Sequence, residues 1–281
     1  LKWEGANPTG SFKDRGMTVA VAKAVEEGAT AVVCASTGNT AASAATYAAR
    51  AGLTAAILMP AGAVARGKIA QAQAVGAQLF EVQGPFEGAL AVARELGRRG
   101  SHALVNSLNP YRLEGQKTAA FEIVEQLGGA PDVLTLPYGG GGNTRAYALG
   151  FDEAGTGLPP LLAGEASERA FTMATAIRIA EPAHRDQAEE AIARSGGAVV
   201  PLADEEILAA WRDLARLEGV FCEPSSAAGL AALARERPEP GARVVCVVTG
   251  HGLKDPEAAA RLTTPPTPVP PDPDVIAEAA S

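Results

Sequence analysis

From Lys13 onward, short apolar runs alternate with longer stretches of helical periodicity. The runs fall at 31–35, 55–59, 78–82, 103–105, 133–136, 161–163, 198–202 and 244–248. They are rich in Val, Ile and Leu and lack the alternation of half-exposed strands, which predicts strands buried on both faces. Between them, Ala-rich segments at 40–50, 68–75, 86–98 and 115–127 predict helices. Gly28, Gly52, Gly76, Gly128 and Gly219 stand where helices should stop, because glycine takes the left-handed C-terminal position without steric cost. This alternation predicts an α/β fold of mostly parallel sheets covered by helices. A break near 128–131 divides the chain into an N-terminal α/β domain over 1–130 and a second over 131–262. Residues 263–281 read as a tail: six prolines lie within 263–273, and a short helix is expected at 274–280.

Composition narrows the classes. With 47% hydrophobic residues, 20% charged and a mean hydropathy of +0.06, 281 residues can bury a core without disulfide or metal staples. That apolar fraction excludes disorder as the dominant state. A net charge of −8 argues against nucleic acid and anionic membrane as partners. No run approaches the ~18 apolar residues of a membrane helix, and no secretory signal layout opens the chain, so a cytoplasmic location is expected. Cys34, Cys222 and Cys246 form no C-x-x-C pair and lie in or beside apolar segments. They read as buried small hydrophobes, with neither a disulfide framework nor a metal site.

Open α/β sheets carry function in the loops beyond the carboxyl ends of their strands. Four loops here are chemically loaded. The first, Asn7-Pro8-Thr9-Gly10-Ser11-Phe12-Lys13, puts one of the chain's six lysines at a helix start. The positive end of a helix lowers an ammonium's pKa, and a free amine there can form a Schiff base with an aldehyde. The bland alternative is a surface lysine beside Asp14 and Arg15. The second loop, Ser36-Thr37-Gly38-Asn39-Thr40, offers hydroxyls and free backbone N–H groups to an anion, or is simply an N-cap. The third, Gly139-Gly140-Gly141-Gly142-Asn143-Thr144, allows close backbone approach and a nest of donors for a phosphate, or serves as a linker. It lacks the G-x-x-x-x-G-K-[ST] pattern of nucleoside triphosphate sites. The fourth, Thr249-Gly250-His251-Gly252-Leu253-Lys254, sets the Thr249 hydroxyl at a strand's carboxyl end, facing a crevice or capping a turn.

Together with 106–118 and 223–228, these loops resemble the fold-type II enzymes that use pyridoxal 5′-phosphate, and most closely the threonine synthases. Pro8-Thr9-Gly10-Ser11-Phe12-Lys13 marks the superfamily. Asn106-Ser107-Leu108-Asn109-Pro110-Tyr111-Arg112 and Thr249-Gly250-His251-Gly252-Leu253-Lys254-Asp255-Pro256 look like threonine synthase in particular. The resemblance implies that Lys13, in the first domain, holds the cofactor covalently and acts as the catalytic base. It implies that Asn39 bonds the cofactor's 3′-oxygen and that Thr249 meets the pyridine nitrogen. Gly139, Gly140, Gly141, Gly142 and Asn143, in the second domain, would cradle its phosphate. Ser36, Thr37, Thr40, Lys68 and, from the loop expected after the 103–105 strand, Asn106, Ser107 and Arg112 would surround a substrate phosphate, although Arg112 could instead pair with Glu114 at the surface. The implied reaction is a lyase step of threonine biosynthesis, from O-phospho-L-homoserine and water to L-threonine and phosphate. Dimers are common in that family. Three departures from the family stand out: the some tens of residues that its members carry before the motif at Asn7 are not seen here, 150–175 reads as shortened, and the all-glycine loop looks more like the superfamily's ammonia-lyases. A threonine or serine ammonia-lyase and a truncated, non-catalytic ligand-binding relative therefore stay open.

Overall fold

A computed structural model describes residues 1–62, 66–100, 102–179 and 181–280, the side chains of residues 66–68 excepted. The first part of the chain runs β1 (Lys2–Trp3), α1 (Lys13–Glu26), β2 (Ala31–Ala35), α2 (Asn39–Arg50), β3 (Thr54–Pro60), α3 (Arg66–Ala74) and β4 (Gln78–Val82). It continues through α4 (Phe86–Arg98), β5 (Ala103–Leu104), α5 (Pro110–Gln116), α6 (Thr118–Leu127), β6 (Val133–Pro137) and α7 (Gly142–Ala154). Then come β7 (Leu161–Ala166), α8 (Arg185–Ser195), β8 (Ala198–Leu202), α9 (Asp204–Leu217), α10 (Ala228–Glu236), β9 (Val244–Val248), α11 (Pro256–Leu262) and α12 (Pro273–Ala279).

Among the described residues the strands form two parallel sheets, ordered β4-β3-β2-β5 and β1-β9-β6-β7-β8. Helices cover both faces of each. In β2, Val32 and Cys34 pack toward α1 and α2, while Val33 and Ala35 pack toward α4. That is the two-residue period of a strand with apolar contacts on each side. In the larger sheet, Leu134 and Leu136 meet α6, α7 and α8, and Val200 and Leu202 meet α9 and α10. All three cysteines are free and buried. No helix among the described residues is long and apolar enough to cross a membrane.

Four expectations need adjustment. The 78–82 run is an edge strand with Phe80 exposed, because its outer side has no neighbour. The 115–127 helix is instead two helices, α5 and α6, and α5 begins earlier. Asn109 caps it by accepting from the Tyr111 N–H at 2.9 Å, and Pro110 takes the first helical position. Arg112 therefore stands on a helix and not in a loop. Finally, β1, unforeseen, joins the larger sheet beside β9, Lys2 opposite Val247 and Trp3 opposite Val248. Residues 264–270 are exposed and carry no regular structure, and α12 buries no side chain.

Candidate active site

The lysine turn is built before the lysine is placed. Gly10 adopts φ +84°, a conformation that L side chains resist, and its N–H donates to the Asn7 carbonyl at 2.8 Å. The buried Asp14 carboxylate then accepts from the Thr9 N–H at 2.7 Å, the Thr9 hydroxyl at 2.6 Å and the Ser43 hydroxyl at 2.7 Å. Asp14 is thus an internal brace of the turn, not a surface partner of Lys13, and Arg15 turns away to Glu4 and Glu122. Two backbone bonds fasten the turn to the loop after β9: Phe12 N–H to the Thr249 carbonyl at 3.0 Å, and His251 N–H to the Gly10 carbonyl at 2.8 Å. Lys13 opens α1 with its Nζ 4.4 Å from the centre of the Phe12 ring. Burial, with the Arg112 charge adding to it, lowers the Lys13 amine to about 8.

Facing this turn, Thr249 is buried and its hydroxyl shares a 2.9 Å hydrogen bond with the Ser226 hydroxyl. The Ser226 oxygen also accepts from the Gly250 N–H at 2.8 Å, which holds it in place. Asn39, the first residue of α2, donates its Nδ2 to both oxygens of Glu223, at 3.1 and 3.2 Å. Burial raises the Glu223 carboxyl to about 7. Neither Glu223 nor Ser226 has a signal of its own in the sequence, although both lie in the 223–228 segment that carries the resemblance.

The glycine loop runs from the end of β6 into α7. Gly141 has φ +80°, and a Cβ there would lie 2.7 Å from the His184 carbonyl oxygen. A Cβ on Gly139 would press on Ile177 at 3.2 Å. The Asn143 Nδ2 is buried with no hydrogen-bond partner among the described residues. An unpaired buried amide donor costs about 1–3 kcal/mol, so this one has the character of a group awaiting an acceptor.

The expected substrate residues divide. Ser36, Thr37 and Thr40 are half-buried around the start of α2, where the Ser36 hydroxyl accepts from the Gly38 N–H at 3.2 Å. Arg112 is 1% exposed, donates Nη1 to the Val105 carbonyl at 2.9 Å and leaves its Nε without a hydrogen-bond partner among the described residues. Glu114 pairs with Lys117, so the surface pairing with Arg112 does not occur. Asn106 spends its amide on both backbone groups of Ala35, at 2.9 and 2.8 Å, pinning the end of β2. The Ser107 side chain is exposed and its carbonyl oxygen lies 2.9 Å from His184 Nε2. The Lys68 side chain lies outside the described residues.

Residues 1–250 match the family of pyridoxal-phosphate dependent enzymes. A threonine synthase of Halalkalibacterium halodurans is 51% identical over 92% of this chain and 78% of its own length. The chain belongs to the threonine synthase family of pyridoxal-phosphate dependent enzymes. A threonine synthase of Mycobacterium bovis is 50% identical over 99% of the chain and 83% of its own length. A cysteine synthase of Entamoeba histolytica, 20% identical, shares the fold at a TM-score of 0.80 over 95% of this chain and 83% of that one.

The residues present suit the family's cofactor. A buried amine of lowered pKa stands at a helix start, and the loop before α7 is crowded for a Cβ at Gly139, Gly141 and Gly142 but keeps its N–H donors. The orphaned Asn143 amide lies at the head of that helix, as a bound phosphate requires.

Proposed function

We propose that this chain converts O-phospho-L-homoserine and water to L-threonine and phosphate, with pyridoxal phosphate held between the two sheets. The observation that carries the reading is the convergence on one another of Lys13, Asn39 and Thr249. Two backbone bonds and Glu223 draw them together across a long span of sequence. Lys13 would be the covalent attachment point. Asn39 would serve the ring's 3′-oxygen, Thr249 the ring nitrogen, and Gly139, Gly140, Gly141, Gly142 and Asn143 the phosphate. When bound, the cofactor supplies an electron sink for negative charge developing on substrate carbon.

The protein's own part is proton handling and phosphate recognition. With its pKa lowered to about 8, the Lys13 amine exists in both protonation states near neutral pH and can take up a Cα proton and deliver protons along the chain. In the balanced reaction the Cγ–O bond breaks and phosphate leaves, one Cβ–H bond breaks as Cγ gains a proton to become a methyl group, and water gives its OH to Cβ and its remaining proton to the departing phosphate. The Thr249 hydroxyl is neutral and cannot stabilise a protonated ring nitrogen as a carboxylate would, so electron withdrawal by the ring would be moderated. Arg112 and the start of α2, with Ser36, Thr37 and Thr40, would receive the substrate phosphate, Ser107 flanking them. The unpartnered Arg112 Nε supports that role. Asn106 would act as a positioning residue, holding the end of β2 beneath them. The three unpaired, buried thiols support a cytoplasmic setting.

The test is phosphate release from O-phospho-L-homoserine by cofactor-loaded protein, with threonine measured alongside. Stoichiometric threonine and phosphate support the reading. Faster ammonia release from threonine or serine than phosphate release would replace it with an ammonia-lyase.

A further inference from the structure

Asn39 has an amide that can present either its oxygen or its N–H₂ group to a ligand, and only one choice suits an acceptor. The partner that fixes the choice lies 184 residues away in sequence: both carboxylate oxygens of Glu223 accept from Asn39 Nδ2, at 3.1 and 3.2 Å. Glu223 is itself 3% exposed and is seated over the loop after β9. Its N–H donates to the Gly250 carbonyl at 3.0 Å, and a Cβ on Gly250 would lie 2.3 Å from Glu223 Oε1. Glycine at 250 is therefore what lets the carboxylate lie flat on that backbone and reach across to α2. The next residue back, Thr249, is the one expected at the ring nitrogen.

We propose that Glu223 is a positioning residue of the cofactor site: its carboxylate, resting on Gly250, locks the Asn39 amide so that nitrogen, not oxygen, leads toward the ring's 3′-oxygen. One of the two Nδ2 protons serves Glu223, and the other is left for the cofactor. The same bond ties the start of α2 in the smaller sheet to the Thr249 loop of the larger one, so ring oxygen and ring nitrogen contacts are set by a single strut. Charges facing Glu223 are Lys13 of α1 and, in the turn after β9, Lys254 and Asp255, with the Cys222 thiol adjacent. The inference rests on the pyridoxal phosphate reading above but not on which reaction the cofactor serves.

The experiment is titration of apoprotein with pyridoxal 5′-phosphate, reading dissociation constant and visible absorbance, for wild type, N39A, E223A, E223Q and the N39A/E223A pair. Removing a charge-assisted acceptor should loosen binding about tenfold in E223A. If Glu223 acts through Asn39, the double variant should bind within about threefold of N39A, since coupled residues are not additive. E223Q keeps a carbonyl oxygen for Asn39 and should stay within about threefold of wild type. Its visible band should lose the pH dependence that an ionising Glu223 gives the wild type near pH 7. Wild-type affinity in E223A, or an additive loss of about a hundredfold in the double variant, would overturn the proposal. Where E223A fails to fold, an E223Q band that follows pH as the wild type does would overturn it equally. A wild-type protein that binds cofactor with this coupling but releases no phosphate would sink the proposed reaction and leave the strut standing.

Discussion

Phe12 donates its backbone N–H to the Thr249 carbonyl at 3.0 Å. These residues are far apart in sequence, yet each is the immediate neighbour of a chemical group: Phe12 precedes the Lys13 amine, and the Thr249 carbonyl belongs to the residue with the buried hydroxyl. One main-chain bond thus sets the spacing between the proposed attachment point and the proposed ring-nitrogen partner. A side-chain substitution leaves that spacing intact, which makes the two groups separable by mutation.

Lys13 should therefore be the site of covalent attachment and should titrate low. Borohydride reduction of loaded protein followed by peptide mapping is expected to label Lys13, and label on Lys117 or Lys254 would refute this. In apoprotein, amine modification at Lys13 should rise with a midpoint near pH 8, in place of the ordinary 10.5. The sign for stability follows from linkage. Between about 8 and 10.5 the folded chain holds fewer protons here than the unfolded one, so this group's contribution to stability grows as pH rises through that window. Below pH 8 its full penalty is present.

Thr249→Val should separate attachment from turnover. Valine is near-isosteric but cannot hydrogen-bond, and Ser226 keeps its bond from the Gly250 N–H. Covalent loading should survive while kcat falls roughly fivefold to tenfold, as for one lost hydrogen bond. Loss of loading, or unchanged kcat, would take Thr249 out of the mechanism.

Much of this site is legible because its chemistry is local. A lysine at a helix start, a run of glycines after an apolar strand and a hydroxyl at a strand's end each show within a few residues. Glu223 is not legible that way. A lone carboxylate acquires meaning only when the fold brings it to Asn39, and nothing near either residue announces the other. The Asn106 amide fails for the same reason, since its partner is the backbone of Ala35 on another strand. The helix that carries Arg112 is signalled only by its Asn109-Pro110 cap, because its seven residues are too few for an apolar periodicity to show. Strand β1 is two residues long, below what any periodicity can reveal.

Asp14→Asn should loosen the lysine turn without touching the amine. The carboxylate accepts three hydrogen bonds, two of them from Thr9, and an amide can accept only through its one oxygen. With charged acceptors worth ~1.5–3 kcal/mol each, a loss of roughly 2–4 kcal/mol in denaturant unfolding is expected. Cofactor uptake should slow in parallel. Wild-type stability would mean that Asp14 braces nothing.

Arg112→Ala should lower kcat/KM for O-phospho-L-homoserine roughly tenfold to a hundredfold, the worth of one charge-assisted contact. Arg112 also packs on Gly16, where a Cβ would lie 2.8 Å from its Nε, so a structural contribution must be separated. Activity toward unphosphorylated threonine or serine, if measurable, supplies that control. A selective loss on the phosphorylated substrate supports phosphate binding, and equal losses on both would make Arg112 purely structural.

The glycine loop permits the sharpest separation of backbone strain from ligand binding. Gly141 and Gly155 both adopt positive φ, +80° and +67°, and alanine at either position carries the left-handed cost of about 1–2 kcal/mol. Their surroundings differ. A Cβ at 155 meets nothing within 4 Å, whereas one at 141 lies 2.7 Å from the His184 carbonyl oxygen and 3.0 Å from Ala188 Cβ. Moving His184 has consequences, because its ring contacts the Ser107 carbonyl oxygen at 2.9 Å and its N–H donates to the Gly140 carbonyl at 3.0 Å. Gly155→Ala should therefore lower the melting temperature slightly and leave the affinity for pyridoxal phosphate unchanged. Gly141→Ala should lower both, with a loss of affinity of at least tenfold, since the displaced backbone carries the donors at the start of α7. Equal affinities in the two variants would show that the loop's conformation matters for folding alone, and the cofactor phosphate would then have to be held elsewhere.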